Sequence, residues 1–338
     1  MTISKSTQAA GQTAFAQIDN GAANASCLPI VDVSGLRRGS LQTRQAAVAA
    51  IRAACLDKGF FYCVGHGVDP ELMRKVFEQS ARFFALPEQD KLALGKDLSP
   101  ANRGYEPIRG QTLEPGMPPD LKEGFYIGIH VEDTDERARR HFNTGPNVWP
   151  SGLAGFRETM LAYFDAMLSL SSTLLEGLAQ SLDLREDFFD DLQRDPLATL
   201  RLLHYPPQPA NPEPGEKGCG AHTDFGGITI LMQDDVGGLQ VWDHDTQNWI
   251  EGMPVSGAFV VNLGDLIGRW TNDRYRSTIH RVINRSGRER YSVPFFFAGN
   301  PDHLVECIPS CLSPGDTPKY RPVTVDTHMR QRYAGSYG

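Results

Sequence analysis

The sequence has no continuous apolar run long enough to cross a bilayer as a helix, which takes about 20 residues. It also lacks an excess of basic charge: 41 Asp and Glu outnumber 33 Lys and Arg, for a formal net charge of -8. Proteins that bind phosphate backbones or anionic membranes recruit the opposite balance. Nucleic acid and membrane are therefore set aside as partners, apart from a local basic patch at Arg285, Arg288 and Arg290. Cysteine is sparse and forms no CxxC pair: Cys27, Cys55, Cys63, Cys219, Cys307 and Cys311 are scattered. The close pair Cys307 and Cys311 has no second Cys or His pair at zinc-finger spacing, so the six read as reduced thiols of a cytoplasmic protein. No apolar stretch follows Lys5, and residues 1–26 are rich in Ala, Ser, Gln and Gly. They read as a flexible tail and not as a signal peptide. There is no internal repeat.

What is present is the composition of a packed globular core: 40% hydrophobic residues, with 33 Gly and 23 Pro to separate short elements. Leu28–Ser34 alternates as a strand, and residues 40–57 carry apolar positions at helical spacing. Phe60–Val64 returns as a strand, and Asp69-Pro70 opens a helix to about Leu86 as N-cap and first-turn proline. Residues 97–122 form a Pro/Gly-rich loop without periodicity. A long scaffold helix is predicted over 155–182, its face set by Phe156, Met160, Phe164, Met167, Leu174, Leu175 and Leu178. Strand-length apolar runs then recur: Leu200–His204, Ile228–Met232, Leu239–Trp242, Ala258–Asn262, Ser277–Ile283 and Tyr291–Phe297. Turn residues divide them, which predicts an antiparallel sandwich or barrel. The chain thus divides into a tail (1–26), an N-terminal α/β region (27–130), a linker with scaffold helices (131–196), an all-β catalytic core (197–300) and a C-terminal segment with a helix (301–338).

Within the core, His222-Thr-Asp224 sits where a strand meets a turn. In extended backbone, residues i and i+2 share a face, so imidazole and carboxylate converge on one ion. His280, in Ser277-Thr-Ile-His-Arg-Val, supplies a third ligand from another strand. Two neutral imidazoles and a carboxylate leave three octahedral positions open, the arrangement of non-haem Fe(II) oxygenases. A zinc hydrolase uses similar residue types, so the triad alone leaves the metal open. Taken singly, His222 also reads as a buried, hydrogen-bonded histidine and Asp224 as a turn former. His130-Val-Glu132 is a decoy in an acidic stretch, and His66 in Gly-His-Gly reads as a turn residue.

Past His280 comes Arg290-Tyr-Ser292, again an i, i+2 pair on a strand. A guanidinium fork with a hydroxyl on the same face is a receptor for a carboxylate. Alone, Arg290 reads as the end of the solvated run that begins at Arg285; behind an HxD…H it reads as a cosubstrate anchor.

These motifs together carry a resemblance. With Tyr205-Pro-Pro, Gly237-Gly-Leu-Gln-Val241, Asn262-Leu-Gly-Asp265, Leu28-Pro-Ile-Val-Asp, Gly59-Phe-Phe-Tyr and Gly65-His-Gly67, the sequence resembles the isopenicillin N synthase-like branch of the 2-oxoglutarate/Fe(II)-dependent oxygenases over roughly 27–335. The resemblance implies a mainly β fold with flanking α, a double-stranded β-helix (jelly-roll) core behind a mixed α/β N-terminal region. It implies Fe(II) on His222, Asp224 and His280, and 2-oxoglutarate on Arg290, Ser292 and Tyr205, with O2 as co-reactant. Leu203 stands where plant members often carry Asn. The implied activity is oxidation of a small organic metabolite by hydroxylation, desaturation or cyclisation, releasing succinate and CO2. Two alternatives stay open here: an oxidase of the same fold that uses no 2-oxoglutarate, and a non-catalytic small-molecule receptor. Substrate contacts are expected from residues 97–126, the barrel mouth and the C-terminal segment. Arg103, Tyr105, Phe125, Tyr126 and Phe297 are the candidates, with only one of Phe125 and Tyr126 facing a cavity if that stretch is extended. Substrate identity and oligomeric state are not encoded in any motif.

Overall fold

The computed structural model describes residues 27–335, so the predicted tail lies outside the described residues. Twelve strands build its two main sheets: β1 (Ile30–Asp32), β2 (Phe60–Val64), β3 (Gly104–Glu106), β4 (Glu123–Gly128), β5 (Leu197–Tyr205), β6 (Cys219–His222), β7 (Ile228–Gln233), β8 (Leu239–Asp243), β9 (Asn248–Glu251), β10 (Phe259–Leu263), β11 (His280–Val282) and β12 (Arg290–Gly299).

 Eight of them form one sheet in the order β1-β2-β10-β7-β12-β5-β4-β3, and four form a second in the order β6-β11-β8-β9. The antiparallel core strands of the first sheet face the second sheet as the two walls of a jelly roll. The fold is mainly β with flanking helices, as the sequence implies.

The N-terminal region extends this core directly. β2 pairs antiparallel with β10, and β4 pairs antiparallel with β5, so the front half adds strands to both edges of the larger sheet. Local chemistry sets the helices that cover it. Ser40 caps the helix Leu41–Asp57 through the Thr43 amide, and Asp69 accepts from the Glu71 amide ahead of Pro70. The helix Phe156–Ser181 buries Met160, Phe164, Met167, Leu174, Leu175 and Leu178 against the outer face of the sheet. Val293, Phe295 and Phe297 of β12 join that outer cluster, while Leu203, Tyr205, Leu239 and Val282 pack in a second cluster between the sheets.

The strand expected over Leu28–Ser34 is only Ile30–Asp32, with Ser34 opening a short helix, and two segments near the core's mouth also depart from the sequence reading. The loop 97–122 contains β3, and its far end is docked on β6: Asp120 accepts from the Gly220 amide and Glu114 from the Ala221 amide, each at 2.8 Å. A Cβ on Gly220 would stand 2.7 Å from the Glu114 Cβ, so this close approach requires glycine. The strand expected over Ser277–Ile283 contracts to His280–Val282. Ser277 and Thr278 turn aside to bond Asp265 and the Lys58 carbonyl, and a register shift against β6 falls between His280 and Val282.

Candidate metal centre and substrate cavity

His222 ends β6 and lies directly opposite His280 on β11, so the two imidazoles come from paired positions of neighbouring strands. Their ring centroids are 4.3 Å apart. Asp224, just past the strand end, turns its carboxylate between them: Oδ1 is 3.8 Å from Nε2 of each histidine. One donor atom from each residue lies within 4.8 Å of the others.

The donors are prepared for a cation. Nδ1 of His222 bonds the Gly220 carbonyl at 2.8 Å, and Nδ1 of His280 bonds the Thr278 carbonyl at 3.1 Å. A carbonyl can only accept, so both Nδ1 atoms carry the proton and both Nε2 atoms present a lone pair. Asp224 Oδ2 accepts from Thr229 Oγ1 and Asn262 Nδ2, each at 2.7 Å, which leaves Oδ1 turned to the histidines. Burial lowers the pKa of His222, and burial with the neighbouring His222 pushes His280 down to about 4. Burial opposes ionisation of Asp224, but the two histidines and its two hydrogen bonds outweigh it and hold its carboxyl below the ordinary range. Neutral imidazoles and an ionised carboxylate are the protonation states that bind a divalent metal, so the residues fit one.

Two chambers meet at this triad. One is lined by Tyr205, Leu203, Arg290 and Ser292 together with His222, Asp224 and His280. Arg290 is fully buried: Nε donates to the Gly237 carbonyl at 2.6 Å, Nη1 to Ser292 Oγ at 3.1 Å and Nη2 to Gln233 Oε1 at 3.4 Å. These partners are all neutral oxygens, and the guanidinium lies 4.7 Å over the Tyr205 ring. The other chamber, about 660 Å³ including its mouth, has walls from Gln111, Asn143, Thr199, Phe225, Met329 and Tyr333. Leu113, Arg201 and Phe296 line both.

The predicted substrate residues lie elsewhere. Arg103 is buried against the Ala101 and Asn143 carbonyls and lines a separate cleft with Arg137 and Arg140. The Tyr105 hydroxyl donates to Glu123, and Phe125 packs between Phe83 and Phe156 in the outer core. β4 is extended, and Tyr126 faces the other way, stacked under Arg201 with its hydroxyl on Glu106, without lining either chamber. Phe297 belongs to the outer core, which corrects its assignment to the cavity. Alternation along β12 sends Ser292, Pro294 and Phe296 inward, so Phe296 takes the cavity position. Of the expected sources, residues 97–126 do supply Gln111 and Leu113, and the C-terminal helix Val325–Ala334 supplies Met329 and Tyr333. Arg201 and Asn143 also line the chamber, and no motif in the sequence marks them. The decoy His130 meets Glu132 at an exposed site without a third donor, and His66 closes a turn by bonding the Gly257 carbonyl and the Val68 amide.

Comparison with known proteins agrees with this architecture. Residues 28–152 match the non-haem dioxygenase in morphine synthesis N-terminal family, and residues 196–299 match the 2OG-Fe(II) oxygenase superfamily. The 2-oxoglutarate-Fe(II) type oxidoreductase hxnY of Emericella nidulans is 48% identical over 92% of this chain and 90% of its own. The chain belongs to the 2OG-Fe(II) oxygenase superfamily. The oxygenase is also 41% identical to the 2-oxoglutarate-dependent dioxygenase citB of Monascus ruber, over 92% of this chain and 95% of that one. Among solved structures, Neurospora crassa T7H in complex with alpha-KG and thymine superposes with a TM-score of 0.80 at 32% identity, covering 91% of this chain and 96% of that one. The protein is thus a 2-oxoglutarate- and Fe(II)-dependent dioxygenase that uses O2 to oxidise a small organic molecule, with succinate and CO2 as co-products. Among the described residues, no helix is long and apolar enough to cross a membrane.

Proposed function

We propose that His222, Asp224 and His280 hold the Fe(II) of this oxygenase, and that Arg290, Ser292 and Tyr205 hold 2-oxoglutarate. One observation carries the reading: two Nε2 lone pairs and one carboxylate oxygen converge where the two chambers meet. When bound, the iron supplies the redox chemistry that couples decarboxylation of 2-oxoglutarate to oxidation of a substrate C–H bond. The chain's own residues orient and exclude water. The Gly220 and Thr278 carbonyls keep both imidazoles in the ligating tautomer, and Thr229 with Asn262 keeps one carboxylate oxygen turned to the metal position.

Arg290 offers a desolvated cation whose present partners are neutral oxygens, so the far carboxylate of 2-oxoglutarate would supply its counter-charge. Tyr205 gives that carboxylate chamber an aromatic floor beneath the guanidinium. Leu203 lines the same chamber, so this position contributes packing where an Asn would contribute a hydrogen bond. The second chamber, which meets the first at the triad, takes the substrate. T7H, which binds thymine, supports a compact ring as occupant.

The reading places the chain in the isopenicillin N synthase-like branch, supported by Tyr205-Pro-Pro, Asn262-Leu-Gly-Asp265 and the N-terminal family match. It keeps the division into 27–130, 131–196, 197–300 and 301–338, with the two family matches as support for the first and third. Free, buried Cys55, Cys63 and Cys219 favour a reducing compartment such as the cytoplasm. The test is uncoupled turnover: succinate released from 2-oxoglutarate by the purified protein with Fe(II) in air. Release that requires Fe(II) and disappears in Asp224→Ala is expected; undiminished release in that variant contradicts the assignment.

A further inference from the structure

The substrate chamber carries two full charges on its wall among the described residues, Arg201 and Asp224. Asp224 is turned to the histidines, so Arg201 is the charge that a substrate meets. Arg201 lies on β5 and is only 9% exposed. Its guanidinium is stacked 4.3 Å over the Tyr126 ring, and Nη2 donates to Glu106 at 3.1 Å and to Gln111 at 3.4 Å. Glu106 is fixed in turn by Lys96 at 2.5 Å and by the Tyr126 hydroxyl at 2.8 Å. The guanidinium is therefore oriented before any substrate arrives, which lowers the entropy lost on binding.

The remaining wall is aromatic and polarisable: Phe225, Phe296, Met329 and Tyr333, with Asn143 and Thr199 as neutral hydrogen-bonding groups. Such a surface suits the faces and edges of a flat ring. A buried guanidinium favours an anionic oxygen, through hydrogen bonds about twice as strong as neutral ones. Glu106 offsets part of that charge, but Arg201, Lys96 and Lys122 outnumber Glu106 and Asp120 around it, so an ammonium group would still meet net positive charge at low effective dielectric. Arg201 lines both chambers, but it and Tyr205 share one face of β5 four positions apart, roughly 13 Å at ~3.3 Å per residue, so its backbone stands well away from the Tyr205 and Arg290 end.

We infer that the substrate is a compact aromatic or conjugated ring bearing an acidic oxygen (carboxylate, phenolate or enolate), and that Arg201 selects it. The inference rests on the reading of this chamber as the substrate site, beside a 2-oxoglutarate site at Arg290.

Anaerobic calorimetry on the full chain loaded with Fe(II) and 2-oxoglutarate tests it, with benzoate, benzamide and benzylamine as probes. Benzoate is expected to bind at least about tenfold more tightly than benzamide, and benzylamine not at all. Arg201→Gln is expected to weaken benzoate about 10- to 100-fold while moving benzamide little, and Arg201→Lys to restore part of the loss. The wild-type ranking needs no variant, so a misfolded mutant does not spare the inference. Absence of benzoate binding, a ranking with benzamide or benzylamine equal to benzoate, or full benzoate affinity in Arg201→Gln overturns it. The 2-oxoglutarate titration that precedes the probes separates the two levels. Failure there sinks the assignment of the cosubstrate site, whereas intact 2-oxoglutarate binding with the wrong ranking sinks the substrate class alone.

Discussion

Asn262 donates its side-chain amide to Oδ2 of Asp224 at 2.7 Å, from β10 to the turn after β6. With Thr229 on the same oxygen, it decides which carboxylate oxygen faces the histidines. Removing such a partner of a metal ligand typically weakens metal binding about 10- to 100-fold. Asn262→Leu is therefore expected to raise the Fe(II) dissociation constant at least about tenfold in an anaerobic titration. An unchanged constant would mean that Asp224 is held by other means.

Arg290 and Ser292 stand 3.1 Å apart on the inward face of β12. Replacing the guanidinium removes charge-assisted hydrogen bonds worth about 1.5–3 kcal/mol, so Arg290→Gln should weaken 2-oxoglutarate binding about 10- to 100-fold. Iron binding should be retained, because Arg290 touches none of the three ligands directly. Parallel titrations of metal and cosubstrate check this, and a variant that loses both equally would contradict the separate roles.

Phe296 and Phe297 are neighbours with opposite duties. Phe297→Ala opens a hole between β12 and the helices and should cost about 3–5 kcal/mol of stability in urea unfolding. Phe296→Ala should cost less stability and should alter substrate KM instead, because its ring lines both chambers. The reverse pattern would overturn the orientation of the strand.

That pair also shows what the sequence makes legible. The triad and Arg290-Tyr-Ser292 are readable because each places ligands at i and i+2 of a strand, a relation the backbone enforces locally. The same rule, counted from Ser292, leads to Phe296 and not Phe297, so strand parity by itself carries the cavity position. Tyr105 and Phe125 are aromatic residues near a loop, but whether they face a cavity or a helix depends on the packing of Phe83 and Phe156 from distant segments. Arg201 sits in an ordinary apolar strand, and Asn143, Met329 and Tyr333 come from unrelated parts of the chain. Only the fold brings them together, and no spacing along the chain announces it.

Burial opposes ionisation of Glu106, yet Arg201, Lys96 and Lys122 around it outweigh burial and hold its carboxyl down to about 2. An unfolded glutamate titrates near ~4.3, so between these values the folded state binds fewer protons than the unfolded state. The stabilisation is complete above the unfolded value and is lost as pH falls toward the folded one. The stability gap between wild type and Glu106→Gln should therefore narrow by about 1 kcal/mol between pH 7 and about pH 3.5. Urea unfolding at the two pH values measures it, and a constant gap would contradict the depressed pKa.

The most direct measurement is an anaerobic visible spectrum of the apoprotein given Fe(II) and then 2-oxoglutarate, recorded for wild type, His280→Ala and Arg290→Ala. A weak metal-to-ligand charge-transfer band should appear in wild type on addition of 2-oxoglutarate. It should be lost in His280→Ala, and should need far more 2-oxoglutarate in Arg290→Ala. A wild type that binds iron but shows no band, or a His280→Ala variant that keeps it, would contradict the assignment of these residues to iron and cosubstrate.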